Sequence, residues 1–391
     1  MRETENMKLY GDAGREEESR APRESRWHVS WRLLKRNRLA FAGLVIFVTF
    51  FFVAFAGLLF TSGPRPLFDP ALVRLQEKLR PPLSPPNLPN LLPEEIPTLG
   101  VYLFGTDDLG RDIFARMLQG AWVSLTVGFV AVGIAVLIGI VMGGISGYFG
   151  RNPVKVEHIL LASIISLGCG LLLAGATFPG GAVLVIAGTS ILFSLWRKKW
   201  SARQSTSRWL RLLRKNTISI DTLIMRIVDI MLCFPVFFLI LTVVALLPAS
   251  MYNIMVVIGL TSWMGTTRFV RAELLSLREQ DFVTAAKALG VSDWRIIFRH
   301  MIPNAMAPVL VSATIGIASA ILIEAGLSFL GFGVPPPHAT WGNILSDGKR
   351  FIFDAPWLTF IPGVAILIVV LAFNLFGEGL RDILNPKLRE R

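Results

Sequence analysis

The chain has 391 residues, of which 53% are hydrophobic and only 17% are charged, and its formal net charge is +12. Soluble domains carry about 25% charged residues, so this composition excludes an ordinary soluble protein and favours one that crosses a bilayer. Lys and Arg collect on the cytoplasmic side of membrane proteins, which accounts for the positive charge without a nucleic-acid-binding role. Cys169 and Cys233 lie in separate apolar runs and predict neither a disulfide framework nor a metal site.

Eight apolar runs follow a polar, charge-rich tail at residues 1–38. Each run is a candidate transmembrane helix, because about 20 apolar residues cross the hydrocarbon core of a bilayer. The run at 251–264 is short, and we expect its helix to continue through Arg268 and Arg271 into the cytoplasm. The eight runs are residues 39–60, 122–142, 159–177, 181–196, 227–247, 251–264, 305–322 and 357–376.

The distribution of Lys and Arg predicts the orientation of these spans. The tail carries ten of them, residues 265–300 carry six, and the stretch after residue 376 carries four, whereas residues 331–356 carry two. Eight alternating spans with both termini in the cytoplasm agree with these counts, as in a multi-pass protein of the cell membrane. The loop at 61–103 is then external, and its ten prolines favour extended segments.

Three glycines stand four residues apart in the second run, at Gly139, Gly143 and Gly147. This spacing places them on one helix face, where a neighbouring backbone can approach closely. The neighbour is either another subunit or another helix of the same bundle. General packing of small residues is the alternative interpretation.

Enzyme motifs are missing from the sequence. Gly348-Lys349 is followed by Arg350 rather than Ser or Thr, and no glycine stands at position 343, so there is no phosphate-binding P-loop. The four histidines match no zinc spacing, and there is no nucleophile elbow. We therefore expect no catalytic residue, no metal site and no cofactor in this chain.

Residues 281–303 are the most informative segment, because they predict two short helices joined by a turn. Gly290 fits a helix C-terminal cap in the left-handed region of backbone space. Ala285 and Ala286 are small helix formers, which allow a partner surface to come close. An ordinary amphipathic loop helix is the alternative.

Two further features mark the ends of the helices around this turn. Ser292 fits the N-cap of the second short helix, with Asp293 favourable in its first turn. Pro303 fits the first turn of the next span, where its missing N–H has no cost.

The segment resembles the "EAA loop" of bacterial ATP-binding-cassette (ABC) importer permeases, E-A-A-x3-G-x9-I-x-L-P. Ala285, Ala286, Gly290 and Pro303 fall at matching positions. Thr284 replaces the glutamate, which weakens any polar contact implied there. His300 and Ile302 replace the isoleucine and the leucine.

Other stretches resemble the dipeptide/oligopeptide/nickel permease family, specifically its C-type subunit, and the likeness covers residues 30–150 and 220–391. They are 105–112 (GTDDLGRD), 147–150 (GYFG), 226–229 (RIVD) with 234–235 (FP), 327–333 (LSFLGFG), 341–343 (WGN) and 374–382 (NLFGEGLRD).

The resemblance implies an all-α, polytopic membrane helical bundle with the six-span core of a type I ABC importer permease. It also implies a homologous B-type permease subunit, an extracytoplasmic solute-binding protein, and two ABC ATPase subunits that bind ATP and Mg. Peptides are the implied solutes, with nickel chelates or oligosaccharides as alternatives; a secondary transporter driven by an ion gradient is the rival mechanism. The implied ATPase-coupling residues are Asp281, Thr284, Ala285, Ala286, Gly290 and Pro303.

Residues 151–219 depart from the family pattern, dividing the chain into a first permease part at 39–150 and a second at 220–391. The departure holds two apolar runs around a Phe-Pro-Gly turn, so we expect an inserted membrane hairpin, whose even span number preserves the topology. The basic tract at 197–215 follows, with eight Lys or Arg and no acid. It is either an interfacial helix on anionic membrane lipids or a plain positive-inside anchor.

Two polar residues within the late spans are candidates for the solute pathway or the bundle interior, namely Glu324 and Asn374. A charge at the membrane centre costs about 2.5–3.5 kcal/mol on insertion scales, so Glu324 should face the bundle interior or a wet vestibule. It contacts substrate amines or the partner permease, or it accepts a structural hydrogen bond at the helix end.

Overall fold

The computed structural model describes residue 32 and residues 34–64, 66–150, 153–155 and 216–384. Helices dominate these ranges, and one short antiparallel strand pair joins β1 (Pro153–Lys155) to β2 (Asn216–Ser219). The helices are α1 (Arg38–Thr61), α2 (Ile113–Phe149), α3 (Ile220–Cys233), α4 (Val236–Leu246), α5 (Met251–Arg278), α6 (Asp281–Ala288), α7 (Asp293–Phe329), α8 (Trp341–Gly348) and α9 (Trp357–Leu384).

Side-chain caps fix where three of these helices begin. The Asn37 side chain accepts a hydrogen bond from the Ala40 amide before α1, and Asp112 accepts one of 2.9 Å from Phe114 before α2. Ser219 caps α3 in the same way. Each cap satisfies an amide that has no partner within the helix.

Four helices, α1, α2, α7 and α9, are long and apolar enough to cross a membrane. They contain the predicted spans 39–60, 122–142, 305–322 and 357–376, which confirms those four predictions. The predicted spans 159–177 and 181–196 lie outside the described residues.

The predicted span at 227–247 is not one straight helix, because the chain bends by 82° between α3 and α4. The two helices together are still apolar enough to form one broken span or a re-entrant loop. The break falls at Phe234 and Pro235, where Phe234 has φ −84° and ψ 136°. A proline disfavours helical backbone in the residue before it and supplies no N–H for the helix ladder.

The short run at 251–264 is the first half of α5, which continues through Arg268 and Arg271 to Arg278 as predicted. α5 does not reach the hydropathy of the four helices above. Its polar Thr261, Thr266 and Thr267 are buried, so the face that carries them packs inside the bundle. Burial of these polar residues within the bundle explains why hydropathy is a weak signal for α5.

The three spaced glycines of α2 bring it against α5 of the same chain. A Cβ atom at Gly139 would lie 2.6 Å from Cβ of Thr266, and one at Gly147 would lie 2.8 Å from Cβ of Leu274. The two helices run parallel in register, with each step of four residues on α2 matched by four on α5. The intra-bundle contact is therefore the correct interpretation of this spacing.

The proline-rich stretch before α2 forms a folded segment, residues 66–112, instead of a plain extended loop. Isolated bridges pair Ser84 with Tyr102 and Thr106 with Asp112. Glu77 is fully buried and accepts hydrogen bonds of 3.0 Å from both the Arg80 side chain and the Asn87 amide. These contacts replace the hydrogen bonds that prolines cannot supply.

The helix directions define two ends of the bundle. At one end Asn37, before α1, lies 3.4 Å from the Asp382 carboxylate near the end of α9. The 281–303 segment lies at this end too, and we name it the Gly290 end. The 66–112 segment and α8 lie at the opposite end, which we name the Asp107 end. The main apolar core lies between α1, α2, α4, α5, α7, α8 and α9.

The β1–β2 ladder is the exception to an all-α architecture among the described residues. Pro153 pairs with Ser219, so the chain leaves and re-enters the bundle at neighbouring positions. The two boundaries of the unusual 151–219 stretch are therefore adjacent in space.

Candidate functional site

The turn at Gly290 has the geometry that the sequence predicts. Gly290 has φ +72°, in the left-handed region that favours glycine. The Gly290 amide donates to the Lys287 carbonyl at 3.0 Å, and the Val291 amide donates to the Ala286 carbonyl at 3.1 Å. This pair of bonds is a Schellman motif, which ends α6 and turns the chain into α7.

Space around Gly290 is open, because no atom lies within 4 Å of where a Cβ would stand. Glycine is therefore required here for its backbone conformation and not for close packing. This difference from the α2 glycines decides which substitutions Gly290 should tolerate.

The start of α7 differs in detail from the prediction. Ser292 has the extended backbone of an N-cap, with its carbonyl bonded to the Ile296 amide at 3.1 Å, but its hydroxyl makes no capping bond. Asp293 accepts a hydrogen bond of 2.5 Å from the Tyr148 hydroxyl at the end of α2. Pro303 follows a π-helical turn at Ile296–Met301, within the first turn of the regular helix.

One face of the 281–303 segment is anchored on the bundle. Val283, Ile296 and Met301 are completely buried, and their side chains pack against the ends of α2 and α5. The cluster comprises Tyr148, Val270, Leu274, Leu277, Val283, Ile296, Ile297, Met301, Ala305 and Val309. α6 is thus anchored on the ends of α2 and α5.

The opposite face of the segment is exposed and apolar. Leu289 is 83% exposed and Trp294 is 59% exposed, and Phe282 and Phe298 of the same segment are exposed too. Large apolar side chains presented together on a folded surface are typical of an interaction site. This surface, the Leu289–Trp294 surface, consists of these four side chains.

The predicted coupling residues lie around this surface. Asp281, Thr284, Ala285, Gly290 and Pro303 are exposed, and Ala286 is half-buried against the anchoring cluster. The Thr284 hydroxyl donates a hydrogen bond of 3.4 Å to the Gln280 carbonyl at the start of its own helix. The family that this segment resembles has a glutamate at this position, whereas the Thr284 hydroxyl bonds within its own chain.

Glu324 is fully buried near the Asp107 end of α7. Its carboxylate accepts a 2.7 Å hydrogen bond from the Ser328 hydroxyl and lies 3.5 Å from the Ser124 hydroxyl of α2. These contacts agree with the structural interpretation of Glu324, and its place in the bundle interior is as predicted. A direct role towards solute stays a prediction.

Asn374 is exposed on α9, so it does not lie in the interior of this chain's own bundle. The bundle-interior interpretation of Asn374 is therefore wrong for the single chain. Its role in the solute pathway stays a prediction, because a pathway between two subunits would be lined by exposed residues.

An ion-pair network at the Asp107 end was not predicted as a site. The Asp107 carboxylate accepts hydrogen bonds from Arg111 Nε at 2.7 Å and Arg116 Nη1 at 2.5 Å. Both arginines also pair with Asp347 at the end of α8, at 3.2 and 3.0 Å. Asp107 and Arg116 are buried, so the network ties the folded 66–112 segment to α8.

This network borders a cavity of about 470 Å³ lined by Arg111, Arg116, Asn343 and Asp347 together with apolar residues. The GTDDLGRD and WGN motifs, which are remote in sequence, meet here. Their joint appearance in the sequence was the available signal, but the partner Asp347 lies 240 residues from Asp107 and belongs to neither motif.

Two protein families match different parts of this chain. Residues 212–390 match the family described as binding-protein-dependent transport system inner membrane component. Residues 25–82 match the family described as N-terminal TM domain of oligopeptide transport permease C. Together the two matches include the 281–303 segment and α1.

Individual proteins are similar over most of the chain. The dipeptide transport system permease protein DppC of Alkalihalophilus pseudofirmus is 35% identical over 365 residues, which cover 93% of this chain and 91% of that protein. The oligopeptide transport system permease protein OppC of Bacillus subtilis is 30% identical, with 94% and 91% covered. The probable D,D-dipeptide transport system permease protein DdpC of Escherichia coli is 32% identical, with 77% and 79% covered.

Proposed function

Because this chain belongs to the family of binding-protein-dependent transport permeases, we propose that it forms half of the pathway of an ABC importer for peptides or peptide-like solutes. The similarity to DppC and OppC proteins supports peptides as the solute class. Nickel chelates or oligosaccharides would use the same mechanism, but no similar protein reported above is named for them. Family membership also argues against a secondary transporter.

The Leu289–Trp294 surface is the observation that carries the coupling proposal. Its apolar side chains project from a turn held by the Schellman motif at Gly290, while the other face is anchored on α2 and α5. A rigid, apolar projection is suited to insertion into a cleft of a partner protein. We assign that cleft to an ABC ATPase subunit.

The proposed assembly contains a homologous B-type permease, two ATPase subunits that bind ATP and Mg, and an extracytoplasmic solute-binding protein. The Gly290 end faces the cytoplasm in this proposal, with both termini on the same side. The positions of Asn37 and Asp382 at that end, together with the counts of Lys and Arg, support this orientation.

Transport then proceeds by alternating access. ATP binding closes the ATPase pair and moves the docked α6–α7 turn. Because this turn is packed on α2 and α5, the movement tilts those helices and opens the pathway towards the solute-binding protein, which is the receptor of the system. Solute released by this receptor enters the pathway, and ATP hydrolysis returns the permeases to the inward-facing state. No covalent chemistry takes place in this chain.

Reconstitution tests this proposal. Proteoliposomes with both permeases and both ATPases should import a labelled peptide when the loaded receptor and ATP are present. This chain alone should hydrolyse no ATP. Nucleotide hydrolysis by the purified chain, or peptide uptake driven by an ion gradient without ATPases, would contradict the proposal.

A further inference from the structure

Tyr148 makes contacts with three different elements of the Gly290 end. Its hydroxyl donates to Asp293 at the start of α7, at 2.5 Å. Its ring lies beneath Lys287 of α6, with Nζ 5.0 Å from the ring centroid. Its carbonyl accepts a hydrogen bond from Arg278, the last residue of α5, at 3.4 Å. One residue at the end of α2 thus contacts both helices of the 281–303 segment, α6 and α7, and also α5, which precedes them.

The contacts continue from Tyr148 into the exposed surface. Phe149 packs edge-on against Tyr148 at 4.9 Å and contacts Trp294 at 6.3 Å, and Trp294 stacks on Phe298 at 5.6 Å. Trp294 and Phe298 belong to the Leu289–Trp294 surface. An aromatic chain therefore leads from the end of α2 to the side chains that we propose contact the ATPase.

The apolar cluster and the polar contacts of Tyr148 have different consequences. The cluster buries side chains from α2, α5, α6 and α7, but it does not fix the angles between these helices, because apolar packing is non-directional. The hydroxyl–carboxylate bond is directional and charge-assisted. It fixes the angle between the end of α2 and the start of α7.

We propose that Tyr148 is a positioning residue that transmits movement of the docked α6–α7 turn to α2. This inference rests on the proposed function and deepens it. When the ATPase moves α6 and α7, the bond to Asp293 and the Lys287 contact pull the end of α2 with them. α2 in turn carries α5 through the glycine contacts at positions 139, 143 and 147.

Removal of the Tyr148 hydroxyl should uncouple hydrolysis from transport without preventing assembly. Tyr148→Phe keeps the ring under Lys287 and leaves Asp293, which is exposed, free to be hydrated. Loss of one charge-assisted hydrogen bond shifts an equilibrium by about tenfold. We expect the number of peptides imported per ATP hydrolysed to fall about tenfold, with normal co-purification of the ATPases.

The experiment uses the complete importer in proteoliposomes with a loaded receptor, and it measures peptide uptake and phosphate release together. Tyr252→Phe is the matched control, because Tyr252 is 72% exposed at the opposite end of the bundle. Asp293→Ala removes the same bond from its exposed side and should lower the ratio similarly. The double variant should be no worse than Tyr148→Phe, since both changes break one interaction.

Three results would overturn the inference. One is a wild-type ratio in Tyr148→Phe or, if that variant fails to insert, in Asp293→Ala. Another is additive losses in the double variant. The third is loss of ATPase association in Tyr148→Phe, which would make the residue a structural support only. Absence of import by the wild-type complex would instead overturn the proposed function, and the inference with it.

Discussion

A Cβ atom added to Gly143 would stand 2.7 Å from the carbonyl oxygen of Thr267, so α2 and α5 touch backbone to backbone at this point. The Thr267 carbonyl is held by its own helix and cannot move away alone. Any side chain at position 143 must separate the two helices. Because α2 and α5 are parallel and in register, this separation would extend to the neighbouring contacts at Gly139 and Gly147.

We expect Gly143→Ala to lower the stability of the purified protein in detergent by about 1–3 kcal/mol, as for overpacking of a core. Thermal unfolding measures the effect. Gly133→Ala is the matched control on the same helix, because nothing lies within 4 Å of a Cβ there. The control should be neutral or slightly stabilising, since alanine favours helix more than glycine does. Equal melting temperatures for both variants would contradict the packing argument.

Gly290 should respond to backbone preference and not to side-chain size. Gly290→Val should abolish most import and weaken co-purification of the ATPases, because a left-handed conformation costs ordinary residues about 1–2 kcal/mol and β-branched ones more. Expression and membrane insertion should stay normal, because the turn lies outside the apolar spans.

Gly290→Asn is the control for this prediction. Asparagine tolerates the left-handed region better than other residues, and the space around position 290 is open. We therefore expect import near that of the wild type. Equal loss in the Asn and Val variants would show that bulk at the ATPase contact, and not backbone strain, limits position 290.

Substitutions at Ala285 and Ala286 distinguish contact with the ATPase from packing within this chain. Ala285 is exposed, whereas Ala286 is half-buried against the anchoring cluster. Ala285→Asp should weaken ATPase association while the melting temperature of the isolated chain stays unchanged. Ala286→Asp should lower both, because its charge is partly removed from water. Normal import and ATPase co-purification in both variants would indicate a solvated loop with no docking role.

The sequence predicts the apolar framework and the Gly290 turn well, because both depend on local signals. The spans in α1, α2, α7 and α9 follow from hydropathy alone, and the left-handed glycine follows from its position between two short helices. Hydropathy says less about α5, whose buried threonines are shielded by neighbouring helices. That shielding depends on tertiary packing, which no local window contains.

The bend at Pro235 and the network around Asp107 illustrate two other limits of prediction from the sequence. A proline in an apolar run permits either a kinked span or a break, and the sequence does not decide between them. Asp107 and Asp347 both form ion pairs with Arg116, although the two acids are far apart in the sequence. The local motif around Asp107 identifies the acid but not its distant partner.

Asp107→Asn should destabilise the Asp107 end of the bundle. It removes one carboxylate from buried Arg116, and the expected loss is roughly 3 kcal/mol, at the lower end for a broken buried pair because Asp347 remains. Thermal unfolding or protease resistance of the 66–112 segment measures it. An unchanged melting temperature would mean that Asp347 alone compensates both arginines.

Asp108→Asn, at the neighbouring position, is the control, and its effect on stability should depend on pH. Partial burial is the largest effect that raises the pKa of the Asp108 carboxyl, and the nearby negative charges of Asp107 and Asp347 raise this pKa further. A carboxyl with a raised pKa stabilises the folded state at low pH and loses that contribution as pH rises through the raised pKa. The variant should therefore equal or exceed wild-type stability at pH 7, and any advantage should vanish at acidic pH.

The adjacent strands β1 and β2 bear on the prediction that residues 159–196 form a membrane hairpin. The strands bring Pro153 beside Ser219, as expected for an excursion that leaves and re-enters the core at one place. An even number of spans in the excursion keeps both boundaries on the same side of the membrane. Cysteine labelling of intact cells tests this, in a background in which Cys169 and Cys233 are replaced by serine.

Single cysteines at positions 201 and 219 should resist a membrane-impermeant reagent until the membrane is permeabilised. Ser84→Cys in the 66–112 segment is the positive control and should label in intact cells, because that segment lies at the opposite end of the bundle. Ser219→Cys removes a helix cap that is worth about 1 kcal/mol, so its expression is checked first. If position 201 or position 219 labels from outside in intact cells, the excursion does not return to the side on which it began, and the hairpin prediction is wrong.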